Sequence, residues 1–271
     1  MKNLFSIKEA VVFGWHKVKA HSGVVFGVVL TMFALEVASS VIDKSLNGSL
    51  LGGAASVVLA VAGVVLSAGM TLIFLKLARN EHAEYRQIVP DIKLVWKYFC
   101  VSILSAAIVL APLALAGVLS TGYLYVSDKA VFEESVDAFE AIEVADKMGR
   151  EEVVDAAVAQ FADTIAGFGA ALAVAVLILI AGIVAAAYLG VRYSMTRLAV
   201  LDGRDITESL TQSSKLTLGI KWRLVLFLLA LFALNLLGLV AFVVGLLLTV
   251  PISLIAYSHV YLKLKAHHGH N

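Results

Sequence analysis

Long apolar runs alternate along the chain with short segments that carry its charge. Six runs stand out: Gly23 to Ile42, Ala54 to Leu75, Phe99 to Tyr123, Ile165 to Tyr188, Leu216 to Leu237 and Val240 to Tyr261. A helix rises 1.5 Å per residue, so about 20 apolar residues cross a hydrocarbon layer of about 30 Å. The pattern therefore predicts six transmembrane helices. Residues 224–262 contain no Asp, Glu, Lys or Arg, and as one helix they would extend about 58 Å. They must fold back, and Asn235 and Gly238 offer turn chemistry for doing so. Lys221 and Arg223 can snorkel from the start of the fifth helix. Pro251 falls inside the sixth, where neighbouring groups can satisfy the carbonyl it frees.

Composition points the same way. Of the 271 residues, 61% are hydrophobic and 15% charged, against about 45–50% and about 25% in soluble domains. A free cytosolic enzyme, a disordered chain and a nucleic-acid binder are excluded. The net charge of +1 creates no global field toward DNA, RNA or an acidic substrate. A single cysteine, Cys100, removes intrachain disulfides and multi-thiolate metal sites. The first apolar run is too long for a signal-peptide core and is expected to be a retained span.

Orientation follows from lysine and arginine, which concentrate in cytoplasmic segments. Seventeen of the 21 fall on one side, leaving only Lys44, Lys129, Lys147 and Arg150 on the other. Both termini are thus expected in the cytoplasm of a multi-pass inner-membrane protein. Residues 124–164 are expected outside. They hold eleven acidic side chains against three basic ones, with apolar positions at helical spacing, and predict two short helices interrupted near Gly149. These carboxylates lack EF-hand spacing and read as a solvated surface rather than a cation site.

The chain reads as an all-α polytopic membrane bundle, in three repeats of an amphipathic surface helix followed by two spans. In this division residues 1–22 form the first surface helix and 23–79 the first span pair. Residues 80–98 form the second surface segment, shortened by Pro90, 99–123 the third span, 124–164 the acidic insert and 165–198 the fourth span. Residues 199–215 form the third surface helix, 216–262 the last span pair and 263–271 the tail. Ser6 with Glu9 and Asp205 with Glu208 fit the pattern in which a cap side chain and the third residue bond reciprocally. Each surface segment places a tryptophan beside cations: Trp15 with Lys8, Lys17 and Lys19; Trp96 with Lys93 and Lys97; Trp222 with Lys221 and Arg223. These ten residues are the candidate lipid-interface set, because tryptophan and basic side chains both favour the membrane surface.

The opening Phe5-Ser6-Ile7-Lys8-Glu9-Ala10 with Phe13-Gly14-Trp15, the entry Trp96-Lys97-Tyr98-Phe99, and the ending with Gly245, Thr249-Val250-Pro251 and Tyr257 to Tyr261 resemble prokaryotic six-span membrane proteins related to YciC. They also resemble the membrane domain attached to some glycerophosphoryl diester phosphodiesterases. The resemblance implies a six-span fold over nearly the whole chain and carries over no catalytic residue, since the phosphodiesterase chemistry of the fused proteins resides in a separate soluble domain. The long acidic insert departs from the compact form.

Glu36 within the first span and Asn235 in the fifth are candidate intramembrane polar groups. Glu36 reads either as a coupling carboxylate facing a cavity or as a group reaching water near the outer end. Gly23 and Gly27 form a G-x-x-x-G suited to close helix approach, and Pro251 joins them as a helix-packing position. His259 is expected to be a hydrogen-bonded helix residue, and His267, His268 and His270 a loose adventitious metal tract. No catalytic motif, resident metal site or cofactor motif is present in the sequence. The expected function is non-enzymatic: organising or sensing membrane lipid, with a homo-oligomer or another membrane protein as further partner and no nucleic acid. A subunit of a small-solute transporter or channel is the alternative.

Overall fold

A computed structural model describes residues 5–45, 49–148 and 151–269. These residues form helices α1 Ile7–Ala20, α2 Ser22–Ser45, α3 Leu50–Ala78, α4 Ile92–Ser127, α5 Lys129–Lys147, α6 Glu151–Gly167, α7 Ala170–Arg192, α8 Thr196–Leu201, α9 Ile206–Leu216, α10 Lys221–Val240 and α11 Phe242–Gly269, with a 3₁₀ turn at Tyr85–Ile88. Among the described residues six helical stretches are long and apolar enough to span a membrane: Ser22–Ser45, Leu51–Ala78, Ile92–Ser127, Ala170–Leu201, Lys221–Val240 and Gly245–His268. The chain is a polytopic, all-helical membrane protein. It divides into two compact units, one of Met1–Ser105 with Val191–Asn271 and one of Ala106–Gly190.

In the first unit, α11 packs against α1, α3 and α10. Its apolar window is 44% buried, against 17–22% in the other five spans, so α11 is the helix around which this unit is built. Buried side chains gather toward one end of the spans, with Phe74, Leu75, Leu77, Leu198, Ile255, Tyr261 and Leu264 fully or almost fully enclosed. Backbone-close contacts hold the helices together. A Cβ on Gly14 would stand 2.5 Å from the Ile252 carbonyl oxygen, one on Gly69 would overlap the backbone of Ile88, and Gly238 and Gly245 press on each other. Without a hydrophobic driving force between helices in lipid, small residues that bring backbones together supply the dispersion contacts.

The second unit comprises the later part of α4, the pair α5 and α6, and most of α7. Gly182 of α7 lies against Ala116 and the Pro112 carbonyl of α4. The predicted pair of insert helices is present as α5 and α6, with Phe139 and Phe161 centroids 6.0 Å apart and Ala138, Ala145 and Ala157 buried. Lys129–Glu133 and Lys147–Glu143 pair along α5. The expected interruption near Gly149 lies outside the described residues.

Several boundaries differ from expectation for identifiable reasons. The fold-back between the fifth and sixth spans occurs at Ala241 rather than at Asn235 and Gly238. The Asn235 amide oxygen instead accepts from Ser253 Oγ at 3.3 Å, and Gly238 is consumed by the contact with α11. The fourth span begins at Ala170 rather than Ile165, after Gly169 at φ +52°, and the fifth at Lys221 rather than Leu216, after Gly219 at φ +80°. Positive φ is open to glycine at little steric cost, so both residues break the chain locally. The second surface segment is no separate helix: α4 runs unbroken from Ile92 through Ser127, with the Asp91 carboxylate accepting from Lys93 N–H at its start. The third surface segment is divided into α8 and α9.

Candidate functional site

Among the described residues, the largest gathering of paired charge lies where α3 and α8 end, beside the last turns of α11. Helix α8 stops at Asp202, and the backbone N–H groups of Gly203 and Arg204 donate to the Val200 and Ala199 carbonyls. Gly203 sits at φ +90°, the left-handed conformation that closes a helix C-terminus. This closure turns the Asp202 side chain inward, where it is only 5% exposed. It accepts from the Tyr261 hydroxyl at 2.7 Å, from Arg79 Nη2 and from Lys265 Nζ. One carboxylate thus ties the ends of three helices. A buried charge is tolerable only when paired and hydrogen-bonded in this way.

Polar side chains of α9 complete that end. Ser213 Oγ donates to the Arg192 carbonyl at 2.9 Å and accepts from Met195 N–H at 3.1 Å, while Arg192 Nε donates to Ser214 Oγ at 2.8 Å. These bonds satisfy backbone groups left open where α7 stops. Sequence reasoning missed both Asp202 and this serine stripe. The available signals were an Asp-Gly pair at a helix end and serines at helical spacing.

Helix α1 shows how an apolar stripe can be covered by protein. Ala10, Gly14 and Val18 are buried and α1 packs on α11, so that face meets α11 rather than lipid. Ser6 Oγ caps the helix by accepting from Glu9 N–H, but Glu9 does not reach back to the cap; its carboxylate takes Lys263 Nζ. The hydrogen bond and charge of Lys263 hold the Glu9 carboxyl below its ordinary range. Asp205 makes no cap bond at α9. It pairs instead with Lys97 at 2.6 Å, which lowers its carboxyl too.

Of the candidate interface residues, Lys93, Trp96 and Lys97 are brought together. With Val61, Val64 and Val65 of α3 and Ile92, Val95 and Phe99 of α4 they line a groove of about 610 Å³ whose wall is apolar. Trp96 is 63% exposed, and its ring lies 5.8 Å from Phe99. On α1, Lys8 and Trp15 are exposed, Lys19 stands over the Trp15 ring at 6.0 Å, and Lys17 donates to Asn80. Lys221, Trp222 and Arg223 form the first turn of α10, with Trp222 exposed.

Glu36 lies exposed on α2, and neither it nor Asn235 lines the groove. Gly23 has open space beside it, while Gly27 meets the ring of Tyr85 rather than a helix backbone. Pro251 is buried within α11. His259 is stacked on Phe13 with centroids 4.0 Å apart, and its Nε2 has no hydrogen-bond partner, contrary to the expected bonded state. His267 and His268 are neighbours, and His270 lies outside the described residues. Among the described residues, no three His, Cys, Asp or Glu side chains are grouped to hold a metal ion. No family model, curated protein or solved structure matches this chain.

Proposed function

We propose that this membrane protein organises or senses membrane lipid, without catalysis, through basic helix ends set in the anionic cytoplasmic leaflet of an inner membrane. The carrying observation is the groove between α3 and α4, where an apolar wall is flanked by Lys93, Trp96 and Lys97. An acyl chain along the valines would bury its surface, and the Lys93 ammonium group would meet a lipid phosphate. Near an anionic leaflet each cation contributes about 1 kcal/mol. Lysine and arginine placement supports cytoplasmic termini. The resemblance to YciC-like proteins accords with a structural role. Gly23, open on its Cβ side, leaves room for a helix of a second copy or another membrane protein. A transport role would need polar groups facing a common wet space. The Asn235–Ser253 bond and the exposed position of Glu36 weigh against it.

The test uses the full chain with Trp96 as its only tryptophan, after Trp15→Phe and Trp222→Phe. It is reconstituted with a small fraction of brominated anionic phospholipid, or of brominated zwitterionic phospholipid, in an otherwise unbrominated bilayer. Stronger quenching by the anionic lipid, abolished by Lys93→Glu, is the expected result. Equal quenching by both lipids would overturn the proposal.

A further inference from the structure

A second cavity, of about 570 Å³, lies between α9 and the last turns of α11. Arg204, Thr207, Gln212, Lys215, Lys265 and His268 line it, and Glu208 is its single carboxylate. Arg204, Lys215 and Lys265 thus bring three basic side chains to the lining of one space. Glu208 reaches Arg204 at 3.6 Å, and Lys265 is turned toward Asp202. Lys215 has no ion-pair partner among the described residues and is exposed. Like charges gathered beside low-dielectric walls raise the local potential and attract an anion.

Two further details point to a ligand rather than to a solvated face. The Arg204 guanidinium offers the planar pair of N–H groups that matches a phosphate, and the lysines add point charges around it. The volume falls within the range of small-molecule sites, about 300–1,000 Å³, and exceeds what a lone ion requires.

We infer that this cavity binds a phosphate-bearing anion, held by Arg204, Lys215 and Lys265. It stands independently of the groove at α3 and α4. The phosphate can belong to a lipid headgroup or to a soluble molecule, and the two are separable.

In one arm, inorganic pyrophosphate is titrated calorimetrically into the full chain in neutral detergent. In the other, the full chain is released from phosphatidylcholine nanodiscs containing a small fraction of phosphatidic acid, and retained lipid is read by native mass spectrometry. Binding of pyrophosphate alone identifies a soluble ligand, retention of phosphatidic acid alone a headgroup, and both together the phosphate group as the shared determinant. Lys215→Gln, at an exposed position, should weaken binding about five- to tenfold in whichever arm binds, as expected for one charged contact. Lys147→Gln on α5, outside both cavities, should leave it unchanged. No binding in either arm, no effect of Lys215→Gln, or an equal effect of Lys147→Gln overturns the inference.

Discussion

Replacing Asp202 with asparagine tests the junction of α3, α8 and α11 directly. Asparagine preserves the shape and one carbonyl oxygen but removes the charge that Arg79 and Lys265 share. In a fully buried pair, deleting one partner destabilises by about 3–5 kcal/mol. Here the partners are partly solvated, Arg79 at 25% and Lys265 at 38% exposure, and water recovers part of each loss. The Tyr261 bond to a charged acceptor contributes about 1.5 kcal/mol, and the two screened pairs add about 1 kcal/mol or less each. Asp202→Asn should therefore destabilise by about 3 kcal/mol. The assay is reversible unfolding in mixed micelles of rising dodecyl sulfate content, followed by circular dichroism. Lys265→Met should then cost less in the Asp202→Asn background than alone, because its counter-charge is gone. A change below about 0.5 kcal/mol for Asp202→Asn, the range of an ordinary surface substitution, would refute a buried, paired carboxylate.

Three further outcomes are expected. Gly69→Ala should destabilise by about 2–3 kcal/mol in the same assay because its methyl group meets backbone at Ile88; Gly117→Ala, with nothing within 4 Å, should be neutral or slightly stabilising. After Cys100→Ser, an impermeant maleimide applied to intact cells should label Glu134→Cys and spare His82→Cys if the acidic helices lie outside, and the reverse pattern would invert the proposed orientation. Because Glu9 and Asp205 have lowered pKa values, their stabilisation is fully present above the ordinary carboxyl range and is lost as pH falls through the folded values. Glu9→Gln should flatten the acid side of the unfolding profile by less than about 1 kcal/mol, since that side chain is 54% exposed, and a steeper profile in the variant would contradict the sign.

The spans were legible because hydropathy over 20 residues is a bulk property that no single contact overrides. Residues with two uses were not. Asn235 and Gly238 are turn formers in water, but in an apolar surround the amide finds Ser253 and the glycine finds a helix backbone. An amphipathic pattern on α1 marks a face to be covered without saying by what. Gly14 held the clue, since a fluid acyl chain does not require a missing side chain whereas the Ile252 carbonyl does. Asp202 resembles any acid in a basic segment, and its role depends on Arg79, 123 residues away. The groove was half legible: Lys93, Trp96 and Lys97 were visible as an interface set, but the valines opposite them come from another helix.

The glycines that meet backbone atoms bear on how this fold can vary over evolutionary time. Leucine, valine and isoleucine exchange readily on lipid-facing surfaces, so relatives can diverge across most of each span while preserving the bundle. Gly14, Gly69, Gly238 and Gly245 lack that freedom, because each added Cβ would stand at 2.5 Å or less from a heavy atom, a backbone atom at all but Gly238. Distant descendants of this sequence should retain the spacing of those four glycines after the surrounding hydrophobic letters have been replaced, whereas Gly23, Gly53, Gly117 and Gly122, each with open space beside it, should drift to alanine or larger residues.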